Sequence, residues 1–450
     1  MMRWAARSHA KGKGRRGCAV RRVTAVRWVA EDVAAHLRAA LGVALLLGVG
    51  AAGVALAWPG SLAAQERGDT IQADTLRSTL AQEGIYNRPF IADLGVGASR
   101  TAIGGYAEAN TNYFRNAGVP EGFSVEFRRF NIFLFSSLSR RLRFISELEF
   151  EHGTEEIALE TALLDIELWP SLVLRGGILL PPLGYFNQNH DSPQWNFVER
   201  PLVSTELIPA TLSEVGFGVH GQLFPGRSTV SYDLYLTNGL QAGVLLNAEG
   251  RTHIPSGKDE AQFGEDNNGS PALSGRVALS RPGLGEVGAS VYTAIYNTFE
   301  MEGDPVADPR RLAIWALDAQ GTMGPLALRT EWALATVDVP DNLADFAGNR
   351  QWGAHLDLSL PVWRPEIGGW EAAVLSADLR LEHLDWNVGA FAATGRRIGD
   401  EVTAFVPGLA FRPVSGTVIR ANYRREWWTD PLANPAEIRA GWQVGLATYF

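Results

Sequence analysis

What most constrains this chain is a two-residue alternation of apolar and polar side chains, recurring in long segments from about residue 103 to the end. Successive side chains of a strand point to opposite faces, so such segments make strands with two unlike surfaces. In 350–360, Trp352, Ala354, Leu356, Leu358 and Leu360 share one face, while Gln351, His355, Asp357 and Ser359 share the other. In 373–383, Ala373, Leu375, Ala377, Leu379 and Leu381 alternate with Val374, Ser376, Asp378, Arg380 and Glu382. In the last segment Trp442, Val444, Leu446 and Phe450 alternate with Arg439, Gly441, Gln443, Gly445 and Ala447.

The pattern predicts sixteen strands: 103–114, 123–138, 141–152, 155–169, 171–180, 211–224, 228–238, 272–281, 285–299, 309–322, 325–338, 350–362, 369–384, 398–411, 415–428 and 436–450. They are longer than the usual globular strand of about 5–6 residues and long enough for a tilted membrane crossing of about 9–11. Tight turns rich in Pro, Gly or Ser fall at 139–140, 169–171, 225–227, 282–284, 324–325, 364–369 and 413–415. Between them lie mostly longer, more polar connections at 115–122, 181–210, 239–271, 300–308, 339–349, 385–397 and 429–435, with 153–154 the short exception. Short turns opposite long loops, with an even strand count, predict an all-β, antiparallel up-and-down transmembrane barrel over 103–450, both ends on the periplasmic side. A hairpin hidden in 239–271 would make the count eighteen. Trp169, Trp332, Trp352, Trp363, Trp370, Trp427, Trp428 and Tyr449 fall at or near strand ends, where interfacial girdles belong.

The start of the chain is different. Residues 1–64 hold ten Lys/Arg and two Asp/Glu, a balance of +8, which leaves −17 for the body of a chain whose total is −9. The apolar run from Ala39 to Trp58 is followed by Ser61-Leu62-Ala63-Ala64. Basic, apolar and small-residue regions in that order predict a secretory signal cut after Ala63 or Ala64, with a retained anchor as the alternative. Residues 65–102 are polar and without period, and are expected to form a periplasmic extension.

Composition then excludes classes. At 46% hydrophobic with one long apolar run, the chain is no multi-pass helical protein. An acidic body with Lys258 as its single lysine lacks the basic face that nucleic acid requires. Cys18, the only cysteine, precedes the apolar run, so the exported body has no disulfide or Cys metal site.

Inside hydrocarbon every backbone amide must be paired, and only closure removes the edges of a sheet. The ionic strand face must then look inward, and sixteen strands enclose a lumen too wide for wall side chains to fill. Arg143, Glu147, Glu149, Glu151, Arg175, Arg329, Glu331, Asp378, Arg380, Glu382, Arg420 and Arg424 are the expected inward charges. Mixed signs set a transverse field across the lumen, or simply pair with one another. The connection 181–210 is too long for a plain link and too rich in Trp, Phe, Leu and Val for a solvated tip. It is expected to fold inward and narrow the lumen, with Asp191, Glu199, Arg200 and Glu206 facing Arg128, Arg143 and Arg175; an external cap is the alternative. The resulting reading is a water-filled pore for small hydrophilic solutes or ions, with no catalytic residue, cofactor or metal assigned.

Several stretches also resemble a known family. Gly104-Gly105-Tyr106-Ala107-Glu108, Phe127-Arg128-Arg129-Phe130, 144–152 (FISELEFEH) and Val198-Glu199-Arg200-Pro201-Leu202 resemble the phosphate-selective porin O and P family and, more loosely, the Gram-negative porin superfamily. The resemblance is densest over about 100–240. It implies a 16-stranded outer-membrane barrel, commonly a homotrimer, with an inward third loop. Terminal Phe450, with Trp442, Val444, Leu446 and Thr448 spaced by two before it, resembles the signal read by the outer-membrane assembly machinery. The family's phosphate specialists line the lumen with arginine and lysine ladders, from which a body with one lysine departs.

Three competing readings remain from the residues alone. A barrel enzyme would draw on His152, His190, His220, His253, His355 or His383, of which His355 and His383 could share a face, but no nucleophile motif accompanies them. The others are a structural or adhesive barrel without conductance and a soluble periplasmic β protein.

Overall fold

The computed structural model describes residues 85, 88–92 and 100–450, apart from 259–262, 265, 267, 302 and 371. The expected export segment lies outside the described residues. The strands are β1 (Arg100–Asn116), β2 (Val119–Ser139), β3 (Leu142–Glu151), β4 (Glu156–Trp169), β5 (Leu172–Leu179), β6 (Glu214–Leu223), β7 (Thr229–Thr237), β8 (Ala272–Arg281) and β9 (Gly285–Ile295). After a two-residue pair, β10 (Glu300–Met301) and β11 (Asp304–Pro305), come β12 (Arg311–Met323), β13 (Leu326–Val337), β14 (Arg350–Trp363), β15 (Val374–Asp385), β16 (Glu401–Arg412), β17 (Thr417–Thr429) and β18 (Glu437–Tyr449). Without β10 and β11, sixteen strands pair antiparallel in chain order, and β1 pairs with both β2 and β18 to close a barrel. Each of the sixteen expected segments overlaps one barrel strand. Among the described residues, 239–271 holds two 3-10 turns, at Ala242–Val244 and Ile254–Gly257, and no extra hairpin.

Alternation explains closure. The outward face carries exposed Ile103, Phe217, Leu409, Trp442, Val444, Leu446 and Phe450, while Arg380, Arg420, Glu147 and Glu331 are buried on the inward face. An apolar exterior around a charged interior is the surface of a membrane-spanning barrel. The last residue seals the seam. The Phe450 amide donates to the Gly105 carbonyl at 3.0 Å, the Gly105 amide donates back at 3.1 Å, and the Phe450 ring stacks on Phe130.

Four local expectations change. The connection expected at 115–122 is a tight turn at Ala117-Gly118, both at positive φ, because alternation carries β1 and β2 up to it. Trp332 lies mid-strand, opposite Leu317 and Ala354, rather than at a strand end. Trp428 stacks on Trp386 against the interior core, and Tyr449 turns inward to donate to Asp191, so neither belongs to a girdle. His355 is buried on the inward face, whereas His383 packs on outward Trp352; the register pairs His355 with Glu382 and His383 with Ala354. One residue of register is one change of face, so these two histidines share none.

The interior is unlike on its two sides. Wall residues Ala272, Tyr292, Leu312, Ile314, Ala316, Ala333 and Ala335 pack against Leu183, Val203, Leu207, Ile208 and Leu212 of the connection between β5 and β6, and against Leu240, Val244 and Ile254 of that between β7 and β8. On that side the connections fill what the wall side chains leave. Buried charge lines the inward faces of β1–β4 and β14–β18, and on the filled side it occurs as wall pairs such as Arg276 with Asp318.

Candidate functional site: an inward-folded connection and a charged vestibule

Residues 180–213, between β5 and β6, form no strand and only short helical turns at 186–188, 192–194 and 202–206. Such a backbone keeps many unpaired carbonyls and amides, which in a buried setting must find partners. The inward face of the wall supplies them. Arg420 donates to the carbonyls of Ser192 (3.2 Å) and Trp195 (3.0 Å), and Arg412 to that of Pro193 (2.7 Å). Arg329 donates to the Gln194 carbonyl (3.1 Å) and Arg380 to that of Glu199 (2.7 Å). Acceptors on the wall take the amides: Glu331 those of Tyr185 (2.7 Å) and Phe186 (3.2 Å), Asn422 that of Val198 (2.8 Å), and Glu382 that of Leu202 (2.9 Å). The connection thus lies within the barrel, tied from β9 round to β18; Ser290 accepts from the Gly184 amide, and Tyr449 accepts from Gln194.

Each residue singled out from the sequence can now be placed. Arg128 donates to Glu199 at 2.8 Å. Arg143 instead pairs with Glu167 on the wall, and Arg175 with Asp165, directly opposite it in register, at 2.8 Å. Their charge is met by the neighbouring strand, which corrects the expectation that they face the connection. Asp191 meets Arg88 (2.9 and 3.0 Å) and accepts from Tyr449 (2.9 Å). Arg200 donates to Thr211 (3.3 Å), and Glu206 lies 3.3 Å from His253. Glu147 accepts from Arg88 (2.6 Å) and Asn131 (2.8 Å), and Glu149 lies 3.2 Å from Arg129. Asp378 accepts from Asn196 (2.8 Å), Arg380 holds Asp357 through two 2.7 Å bonds, and Arg420 holds Glu108 at 2.6 Å. Trp442, Val444 and Leu446 lie exposed on the outward face of β18, and Phe450 is exposed just beyond its end.

The sequence reading missed Arg88. This side chain from before β1 is 2% exposed and rests its guanidinium 3.5 Å from the centre of the Phe133 ring while bridging Glu147 and Asp191. Nothing in a lone arginine within a polar stretch marks it as buried. Ile85 and Phe90 accompany it, packed with Phe135, Ile145, Leu163 and Tyr235.

Burial alone would raise the Asp191 carboxyl, but the adjacent Arg88 guanidinium outweighs it and holds the group below the usual carboxylate range. At Glu199 burial is likewise outweighed by Arg128, and the carboxyl is lowered to about 2.

Beyond the inward connection, towards the long-loop end, lies a cavity of about 1460 Å³. Its lining includes six cationic side chains (Arg128, Arg129, Arg200, Lys258, Arg424, Arg439) and nine carboxylates (Glu121, Glu149, Glu151, Glu155, Glu156, Glu160, Glu199, Glu206, Glu426). Most are paired, as Arg424 is with Glu382 and Glu426, and Arg439 with Glu121. Glu155 and Glu156, at the β3–β4 turn, have no ion-pair partner among the described residues.

No family model matches the chain. An uncharacterized protein of Aquifex aeolicus (strain VF5) is 28% identical over 369 residues, covering 76% of this chain and 81% of that protein. Among solved structures, the anion-selective porin from Comamonas acidovorans is similar at 13% identity and a TM-score of 0.49, over 78% of this chain and 100% of its own. The outer membrane channel DcaP of Acinetobacter baumannii is similar at 9% identity and a TM-score of 0.46, over 78% of this chain and 98% of its own.

Proposed function

We propose that the barrel is an outer-membrane pore of a Gram-negative-type bacterium, through which small hydrophilic solutes or ions diffuse passively, narrowed by the connection 181–210. The observation that carries this reading is the polar vestibule enclosed by a barrel with an apolar exterior. Water and ions are stable against that lining, and lipid against the outside. Lipid is one partner in this reading. The outer-membrane assembly machinery, reading the outward Trp442, Val444, Leu446 and Phe450, is another, and two further copies of the chain complete a homotrimer. Kinship with the phosphate-selective porin O and P family rests on the stretches quoted above. Phosphate selectivity is outside the proposal, because the wall arginines Arg329, Arg380, Arg412 and Arg420 direct donors at main-chain carbonyls of the connection.

Planar-bilayer recording of the purified, refolded protein tests the reading. Discrete conductance steps are expected, and deletion of 185–205 should enlarge them. A folded barrel that never conducts would instead be structural or adhesive. Steps of unchanged size after the deletion would remove the narrowing role.

A further inference from the structure

Where β3 and β4 face the inward connection, three groups stand close together. The carboxylates of Glu147 and Glu160 and the imidazole of His190 each offer one atom within 4.8 Å of the others, and all three residues are buried. Glu160 reaches this place through a β-bulge. The β3–β4 register passes from Glu147↔Thr161 to Leu148↔Leu159, leaving Glu160 unpaired and turned to the inside beside Thr161. Bulges re-aim side chains in this way.

Three observations separate the group from an ordinary patch of acid. First, His190 Nδ1 lies 2.9 Å from the Asn187 carbonyl and Nε2 lies 3.3 Å from Glu160 Oε2, so an Nδ1–H that donates to the carbonyl leaves the Nε2 lone pair facing Glu160. A lone pair against a carboxylate oxygen calls for a cation between them, and a backbone carbonyl fixing the far nitrogen is how ligating histidines are oriented. Second, fully buried Asn131 places its amide on both glutamates, 2.8 Å from Glu147 and 3.5 Å from Glu160, while its Oδ1 has no partner. Rotating the amide by half a turn presents that oxygen to the centre of the group. The hydroxyl of Thr161, also fully buried, is likewise without a partner. Third, direct ion pairs do not cover the charge. Among the described residues, Arg88 and Arg129 are the arginines within ion-pair distance of Glu147, Glu149 and Asp191, and Arg129 also serves Glu108 and Glu151; Arg200 and Lys258 act on Glu160 without an ion pair to it.

We propose that Glu147, Glu160 and His190, with Asn131 Oδ1 as a fourth ligand, bind one divalent cation of the zinc class inside the barrel. Two carboxylate oxygens, an imidazole nitrogen and an amide oxygen make a tetrahedral set, and Zn²⁺ bonds of about 2.0–2.1 Å place neighbouring ligand atoms about 3.3 Å apart. The His190–Glu160 separation already has that value. One imidazole favours Zn²⁺ over Ca²⁺ or Mg²⁺, which take oxygen alone. The bound ion would tie the inward connection to β3 and β4, a structural role that holds whether or not the barrel conducts.

The test is calorimetric titration of the chelator-treated, detergent-folded protein with ZnCl₂ at pH 7. One equivalent per chain is expected, weakened at least tenfold in Glu160→Gln and in His190→Gln, and unchanged in His253→Gln, which alters a histidine outside the group. Heat-modifiable gel mobility establishes that each variant is folded. Should the two ligand variants fail to fold, the zinc X-ray absorption spectrum of the unaltered protein decides: one imidazole among oxygen ligands supports the site, and an all-oxygen shell overturns it. No heat from the unaltered protein, equal affinity in all three variants, or displacement of Zn²⁺ by equimolar Ca²⁺ would each overturn it as well.

Discussion

Arg88 donates to both carboxylate oxygens of Asp191, at 3.0 and 2.9 Å, so a side chain from before the first strand fastens the connection that follows the fifth. The same guanidinium reaches Glu147 on the wall at 2.6 Å. One buried cation therefore joins three parts of the chain, the segment before β1, strand β3 and the inward connection. Its removal leaves two buried carboxylates without their cation.

Arg88→Ala is accordingly expected to destabilise the folded barrel by about 3–5 kcal/mol, the usual cost of breaking a buried pair from one side. The midpoint of guanidinium unfolding, followed by the loss of heat-modifiable mobility, measures it. A midpoint equal to that of the unaltered protein would mean that water reaches Glu147 and Asp191.

A second fastening is sensitive to acid. Glu199, partly exposed and paired with Arg128, is lowered to about 2. A carboxyl depressed in the folded state stabilises it fully above the ordinary glutamate value of about 4.3. That contribution fades as pH falls towards the folded value and is gone below it. Between about pH 4 and pH 2 the hold of Arg128 on the connection should weaken, and in Glu199→Gln this part of the acid response should be missing. Proteolysis of the connection as a function of pH reads the difference. Identical profiles for the two proteins would assign the acid response to other groups.

These two fastenings differ in how far the sequence announced them. Strand alternation is a local signal repeated many times, so the sixteen strands and the inward turn of Glu147, Arg380 and Arg420 could be read from residue spacing alone. Partners inside the barrel are set by what comes within reach from distant parts of the chain. Arg175 looked available to the connection, yet Asp165 stands opposite it in the β4–β5 register and binds it. Tyr449 has the sequence position of a girdle residue, but the parity of β18 turns it to the lumen with Gln443 and Gly445. The filled side of the interior was hidden for a related reason: Leu183, Leu207 and Leu240 lie in connections without a period, and only closure of the barrel brings them against Ile314 and Ala333.

Gly184 is a further point where the connection has no slack. Its φ is +66°, its amide donates to Ser290 Oγ at 2.8 Å, and a Cβ there would lie 2.0 Å from Glu331 Oε1. That oxygen accepts the Tyr185 and Phe186 amides. Gly184→Ala must displace Glu331 and strand buried amides, at a cost of about 1–3 kcal/mol for each unsatisfied group. The unfolding midpoint should fall, and Tyr185 and Phe186 should lose protection from hydrogen exchange. Full protection in the variant would show that the segment re-forms its bonds elsewhere.

The vestibule makes the last prediction. Its nine carboxylates outnumber its six cationic groups, and among the described residues Glu155 and Glu156 are left without ion pairs at its rim. Unpaired charge at a low-dielectric mouth concentrates counter-ions, more strongly at low salt. On the pore reading, the reversal potential in a KCl gradient should carry the sign of cation preference. Glu155→Gln with Glu156→Gln should move it towards zero, because these groups act on the mobile ion instead of on an arginine. Raising the salt should shrink both the preference and the effect of the two substitutions, since screening shortens the reach of an exposed charge. An anion-preferring potential in the unaltered protein would place the controlling charge deeper, among the arginines that hold the connection.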